Sequence, residues 1–141
     1  MNDSGVAVRE MADRLGMRPE DVWVIHDCLD LPLGRIRLRR GGSSGGQRGV
    51  ESVIRELGSD QFPRLRVGIG RPQSGATIEY VLSPWTAAEH PLIGQSVQAS
   101  ADAVMTVISA GIAEAMNRFN GWAAATDNAS ETQGAVSIED V

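Results

Sequence analysis

The sequence predicts a three-layer αβα domain around a mixed, twisted sheet. Three observations predict it. Short apolar or alternating runs at 22–25, 35–39 and 64–69 are too brief for helices, segments between them repeat apolar residues at helical spacing, and glycine or proline marks the joins. A chain of 141 residues suits one such domain.

Val8, Met11, Ala12 and Leu15 follow the i, i+3, i+4, i+7 spacing of a helix with one apolar face, with Asp3 or Ser4 to start it and Gly16 to end it. After a turn at Pro19-Glu20-Asp21, the run Val22-Trp23-Val24-Ile25 reads as a strand buried on both faces. It leads into His26-Asp27, placing them at the strand's C-terminal end, where open α/β sheets bind ligands. Pro32-Leu33-Gly34 turns the chain into Arg35-Ile36-Arg37-Leu38-Arg39, which alternates strictly, as a half-covered strand does. A stretch with five glycines, 41–49, allows tight turns and close approach to a ligand. Val50, Val53, Ile54 and Leu57 form the next helix, ended by Gly58, and Arg64 to Ile69 is a second alternating strand. Tyr80-Val81-Leu82 reads as a short strand. Thr86 and Glu89 have capping-box spacing before a helix whose apolar face carries Ile93, Val97, Val104 and Ile108 as far as Gly111. A last helix takes in Ala115, Met116, Phe119 and Trp122. The domain is thus expected over 1–123, with an acidic, disordered tail over 124–141.

No stretch approaches the roughly 20 apolar residues of a membrane helix, and no secretory signal pattern opens the chain. Cys28 is the single cysteine, so neither an internal disulfide nor a multi-thiolate metal site is available. A cytoplasmic protein without metal or organic cofactor is expected. The net charge of −5 conceals a concentrated patch: all 13 basic residues are arginines, and 35–71 holds nine of them against Glu51, Glu56 and Asp60. Such a patch either grips polyanions or is a solvated surface. Taken alone, Asp27 is equally a strand-end aspartate, and the glycine stretch a flexible loop.

Four motifs carry a resemblance. They are Met1-Asn2-x-Ser4-Gly5; His26-Asp27-x-Leu29-Asp30-Leu31-Pro32-x-Gly34; Gly41-Gly42-x-x-Gly45-Gly46 with Phe62-x-Arg64-Leu65-Arg66-Val67-Gly68-Ile69-Gly70-Arg71-Pro72; and Asn117-Arg118-Phe119-Asn120. In this order they resemble the C-terminal two-thirds of the bacterial peptidyl-tRNA hydrolase family, as an N-terminally truncated or divergent member. That family hydrolyses the ester between a peptide and the 3′ ribose of tRNA, on a single α/β domain.

The resemblance implies that Asp27 orients the catalytic histidine, a carboxylate fixing the imidazole tautomer as it activates water. It implies that Asn2 hydrogen-bonds the substrate near the ester, and that Gly45 and Gly46 offer N–H groups to the 3′ end at a helix start. Arg39 and Arg66 match a pair that clamps a tRNA phosphate, which gives affinity without reading sequence. Gln47-Arg48 departs from the family's His-Asn, and Arg48, a substrate-binding position there, has donors but no acceptor. The family's catalytic histidine and central strands precede Met-Asn-x-Ser-Gly, so the sheet is expected to lack those strands. His26 and His90 match other positions. The implied partner is tRNA, through its acceptor stem and 3′ end, with no membrane and possible completion of the sheet by a partner segment; otherwise the chain is a monomer. The alternative is an acceptor-arm binding module without catalysis, or an inactive fragment.

Overall fold

The computed structural model describes residues 3–71, 80–81 and 83–125. In chain order these form helix α1 (Ser4–Leu15), a 3-10 turn (Pro19–Asp21), strand β1 (Val24–Cys28), strand β2 (Ile36–Arg39), helix α2 (Arg48–Leu57), strand β3 (Arg64–Gly68), helix α3 (His90–Ala110) and helix α4 (Ile112–Phe119). The sheet order is β1-β3-β2, with β1 parallel and β2 antiparallel to β3. This is the expected mixed sheet in a three-layer arrangement.

Register divides the sheet into two faces. Ile36 and Leu38 of β2 stand beside Val67 and Leu65 of β3, and this apolar face packs on Ala99 and Ala103 of α3 and Ala115 of α4. The other face carries Arg37 beside Arg66, Arg39 beside Arg64, and Val24 and His26 of β1. Val24 joins Val50, Val53, Ile54, Leu57, Phe62 and Val8 in a second core under α1 and α2. Those two helices meet at Gly5, whose N–H donates to Ser52 Oγ at 2.9 Å. A Cβ on Gly5 would lie 2.1 Å from the Ser52 carbonyl oxygen, so only glycine permits this approach.

Several expectations hold. Gly16 and Gly58 end α1 and α2 in left-handed backbone, φ 65° and 69°. β2 alternates buried and exposed as read. Thr86 and Glu89 form the capping box in both directions, at 2.8 and 3.3 Å.

Others need correction. The strand expected at 22–25 is Val24–Cys28, and it is not buried on both faces: Ile25 is 57% exposed. β1 is an edge strand of the described sheet, and α3 and α4 lie chiefly over β2 and β3. β3 is the central strand rather than a half-covered one, so its first arginine, Arg64, is buried. In α1, Gly5 and Ala12 are buried while Met11 and Leu15 are exposed. In α3 the buried face is Ser96, Ala99, Ala103 and Thr106, small residues that let the helix approach Leu65, while Val97 and Ile108 point outward, 63% and 74% exposed. Tyr80 and Val81 are helical, not strand; Leu82 lies outside the described residues. Contacts continue past Ala123, with Ala124 N–H donating to Gly34 O (2.8 Å) and Ala125 bonded both ways to Gln95. Of the expected tail, 126–141 lie outside the described residues.

The outer edge of β2 is covered near its start by the antiparallel bridge of Arg35 with Ala123, and at Leu38 by a side chain. Asn120 Oδ1 accepts from Leu38 N–H at 2.7 Å, and its Nδ2 donates to Leu38 O at 3.1 Å. Replacing Asn120 with leucine leaves both backbone groups partnerless, so urea unfolding should show a loss of about 1–3 kcal/mol. The exposed Asn117→Leu should stay within about 0.5 kcal/mol of the parent.

Candidate functional site

The loop between β2 and α2 leaves the end of β2 beside the start of β3 and closes over the arginine face toward the C-terminal end of β1. The resulting cleft, about 170 Å³, is lined by Asp27, Gly45, Gly46, Gln47, Arg39, Arg64, Arg66 and Arg71, with His26 and Cys28. Sequence position alone separates these residues by up to 45 places; the parallel β1–β3 pairing brings them together.

Asp27 is held by Gln47, whose Nε2 donates to Asp27 Oδ1 at 3.0 Å. The amide's orientation is fixed from its other end, where Oε1 accepts the Val50 N–H at 2.7 Å and caps α2. One side chain therefore starts the helix and aims a donor at the carboxylate. Gly45 and Gly46 adopt φ of 61° and 85°, which lets the loop turn without side-chain strain. Gly46 N–H is engaged by Ser44 Oγ at 3.1 Å. Asp30 and Arg71 form an ion pair, with Arg71 on the cleft wall. Arg66 Nη2 donates to Cys28 Sγ at 3.1 Å, which holds the guanidinium beside the cleft.

The expected site residues therefore divide. Asp27, Gly45, Gly46, Arg39 and Arg66 converge on one cleft. Arg48 does not line it: as the first residue of α2 it is exposed. Asn2 lies outside the described residues. Gln47, read from sequence only as the loss of a ring, turns out to be the partner of Asp27 and the cap of α2; its place three residues before Val50 is the offset that signals the cap, while nothing local signals the bond to Asp27. Arg64, taken as one arginine of an alternating strand, is buried at the cleft's base. Among the described residues no three His, Cys, Asp or Glu side chains converge as metal ligands would. None of the described helices is long and apolar enough to cross a membrane.

His26 lines the cleft yet is not oriented by the Asp27 carboxylate. Its Nδ1 lies 2.7 Å from the Asp27 main-chain oxygen, so Nδ1–H donates there and Nε2 is left buried without a partner among the described residues. Burial pushes its pKa below the ordinary 6.5; the bond and charge of Asp27 oppose this, and Arg64 and Arg66 add to it.

Fold and site define an α/β protein whose cleft sets a braced carboxylate beside a group of guanidinium side chains. The sequence profile of peptidyl-tRNA hydrolase matches residues 1–129. The peptidyl-tRNA hydrolase of Moorella thermoacetica is 50% identical over 122 residues, covering 85% of this chain and 64% of its own. That of Persephonella marina is 42% identical over 121 residues, with the same coverage of 85% and 64%. The crystal structure of peptidyl-tRNA hydrolase from Acinetobacter baumannii superposes with a TM-score of 0.80 at 31% identity, covering 87% of this chain and 63% of that one. The chain belongs to the peptidyl-tRNA hydrolase family, and it spans just under two thirds of the length of these relatives.

The His26 environment has a pH consequence. Because the folded state holds this imidazole neutral, the unfolded chain takes up a proton first as pH falls through 6.5, and stability falls with it. Denaturant unfolding between pH 7.5 and 5.5, above the ordinary carboxylate range, should show this decline, and His26→Gln should flatten it.

Proposed function

We propose that this chain supplies the acid and the anion-holding part of a peptidyl-tRNA hydrolase site. The reaction is hydrolysis of the ester joining a peptide, or an N-blocked amino acid, to the 3′ end of tRNA, in the cytoplasm. The observation that carries the reading is the Asp27–Gln47 bond within the cleft that Arg39 and Arg66 line. A carboxylate held in this way keeps a charged oxygen available to an imidazole, fixing its tautomer and stabilising the imidazolium as it takes a proton from water. The glycine loop leads directly into α2, so the positive end of the helix dipole lies beside the cleft and would favour a phosphate there.

Residues 1–141 contain two histidines. Asp27 engages His26 through its backbone rather than its carboxylate, and His90 stands exposed at the start of α3. The imidazole for Asp27 is accordingly assigned to the part of the family domain that precedes the Met-Asn-x-Ser-Gly motif. The outer edge of β1, flanked by exposed Trp23 and Ile25, is the edge at which further sheet would add. Asn2 is the amide for the ester, and Arg39 with Arg66 the clamp for a phosphate of the acceptor stem. Arg48, outside the cleft, would meet nucleic acid further along rather than the ester.

The test is single-turnover release of an N-blocked amino acid from its tRNA, comparing the parent with Asp27→Asn. With the imidazole-bearing segment of a family member supplied ahead of Met1, the variant should be slower by about 10²–10⁴-fold, the range of general acid–base contributions. Equal rates in two folded proteins would remove Asp27 from the chemistry. Release by neither, with tRNA still bound, would favour the binding module.

A further inference from the structure

Arg64 differs from the other arginines of its face. It is only 1% exposed, yet no carboxylate pairs with it among the described residues. A buried guanidinium ordinarily has an acid beside it, because an ion removed from water needs a compensating charge or full hydrogen bonding. Here the offsets are backbone oxygens and a ring. Nη1 donates to Ser43 O at 2.9 Å, Nη2 to Asp60 O at 2.8 Å and to Phe62 O at 3.5 Å, and the guanidinium carbon lies 4.2 Å from the Phe62 ring centre. Nε is buried with no partner among the described residues. Carbonyl dipoles and a π face soften the charge without cancelling it.

The two bridged carbonyls belong to different segments. Ser43 lies in the glycine loop that walls the cleft; Asp60 lies in the connection between α2 and β3, and its carbonyl also accepts Gly42 N–H at 3.0 Å. One guanidinium thus ties the loop to the base of the central strand. The loop in turn sets Arg39: a Cβ on Gly42 would lie 3.0 Å from Arg39 Nη2, so this guanidinium rests against the loop backbone. Arg39 is directly opposite Arg64 across the strands, and Arg66 follows two residues along β3. Burial, and then the charge of Arg39, lower the proton affinity of Arg64; Asp60 opposes this and Arg66 adds to it.

We propose that Arg64 is a positioning residue of the substrate site: its two-carbonyl bridge holds the glycine loop and Arg39 where, with Arg66, they close on one phosphate of a polynucleotide. This rests on the reading of the cleft as a tRNA site. The bridge requires two donors in a rigid planar fork. Lysine retains the charge and much of the stem but places its donors on one atom, so it cannot span both carbonyls in the same way.

The experiment measures binding of deacylated tRNA to the 141-residue chain across a series of salt concentrations, for the parent, Arg64→Lys, Arg64→Met and Arg66→Met, each checked for folding by circular dichroism. Arg64→Lys and Arg64→Met should both bind about tenfold or more weakly at fixed salt, which corresponds to about 1.4 kcal/mol of lost binding. Their slopes of log K against log salt should stay near the parent's, because Arg64 lies behind the surface that releases counterions. Arg66→Met should reduce the slope by about one. Parental affinity in Arg64→Lys would overturn the proposal, since charge alone would then suffice. A slope reduced by one in either Arg64 variant would overturn it as well, by making Arg64 a direct phosphate contact. Arg64→Lys keeps a cation at this position, so it decides the matter even if Arg64→Met fails to fold. Absence of binding by the folded parent would instead defeat the tRNA reading itself, and the positioning role with it.

Discussion

The β2–β3 ladder places arginine directly opposite arginine twice, Arg37 with Arg66 and Arg39 with Arg64. Like charges in that relation oppose strand pairing, and the rest of the molecule is arranged so that the pairing survives. The reverse face of the same strands is apolar, and Ile36, Leu38 and Leu65 are buried there against three alanines of α3 and α4. Asn120 adds two hydrogen bonds along the outer edge of β2 at Leu38. On the charged face each guanidinium is dispersed differently: Arg64 among carbonyls and a phenyl ring, Arg66 on the Cys28 sulfur, Arg37 and Arg39 toward solvent.

A sheet that holds cations together against their repulsion is one that an anion would stabilise. The glycine loop crosses this face and the carboxylate of Asp27 lies at its margin, so negative and positive functions are kept apart within one cleft. Asp27 forms no ion pair with the nearby arginines among the described residues; its carboxylate accepts instead from the neutral Gln47 amide. A carboxylate in a guanidinium pair would be a poorer acceptor for an imidazole. Arg71, the arginine nearest the loop's outer rim, is occupied instead by Asp30. The distribution of partners therefore leaves Asp27 against a neutral amide while Arg39 and Arg66 line the same cleft.

How much of this could be read from sequence depended on whether one side of an element met water. β2 was legible because its arginines do face out and its Ile36 and Leu38 do face in. β3 has the same alternation but lies between two strands, so Arg64 is buried, and no local pattern distinguishes an edge strand from a central one. In α3 the pattern misled, since contact with the sheet selected small residues over large ones, leaving Val97 and Ile108 outside. Motif order singled out Asp27, Gly45 and Gly46, which line one cleft, while the bond of Gln47 to Asp27 was hidden because it spans 20 positions. Arg48, adjacent to the loop in the motif, does not line the cleft, because the helix begins there and its side chain is exposed.

The motif residues do not all act at the site, and their division has a physical basis. Gly5 is required where α1 crosses α2, at a distance that admits no Cβ beyond Ser52. Asn120 is required where β2 would otherwise present an unpaired edge. Gly5 joins α1 to α2 within one helical layer, while Asn120 ties the end of α4 to β2. Gln47 and Arg64 form the inner counterpart: one joins the glycine loop's end to β1 through Asp27, the other joins its middle to the start of β3. A loop with five glycines has no rigidity of its own. Its shape is imposed at those two points together with the bonds from Gly42 N–H to Asp60 O and from Gly46 and Gln47 N–H to Ser44, so much of the cleft's precision resides in side chains that a reading of the glycines alone would pass over.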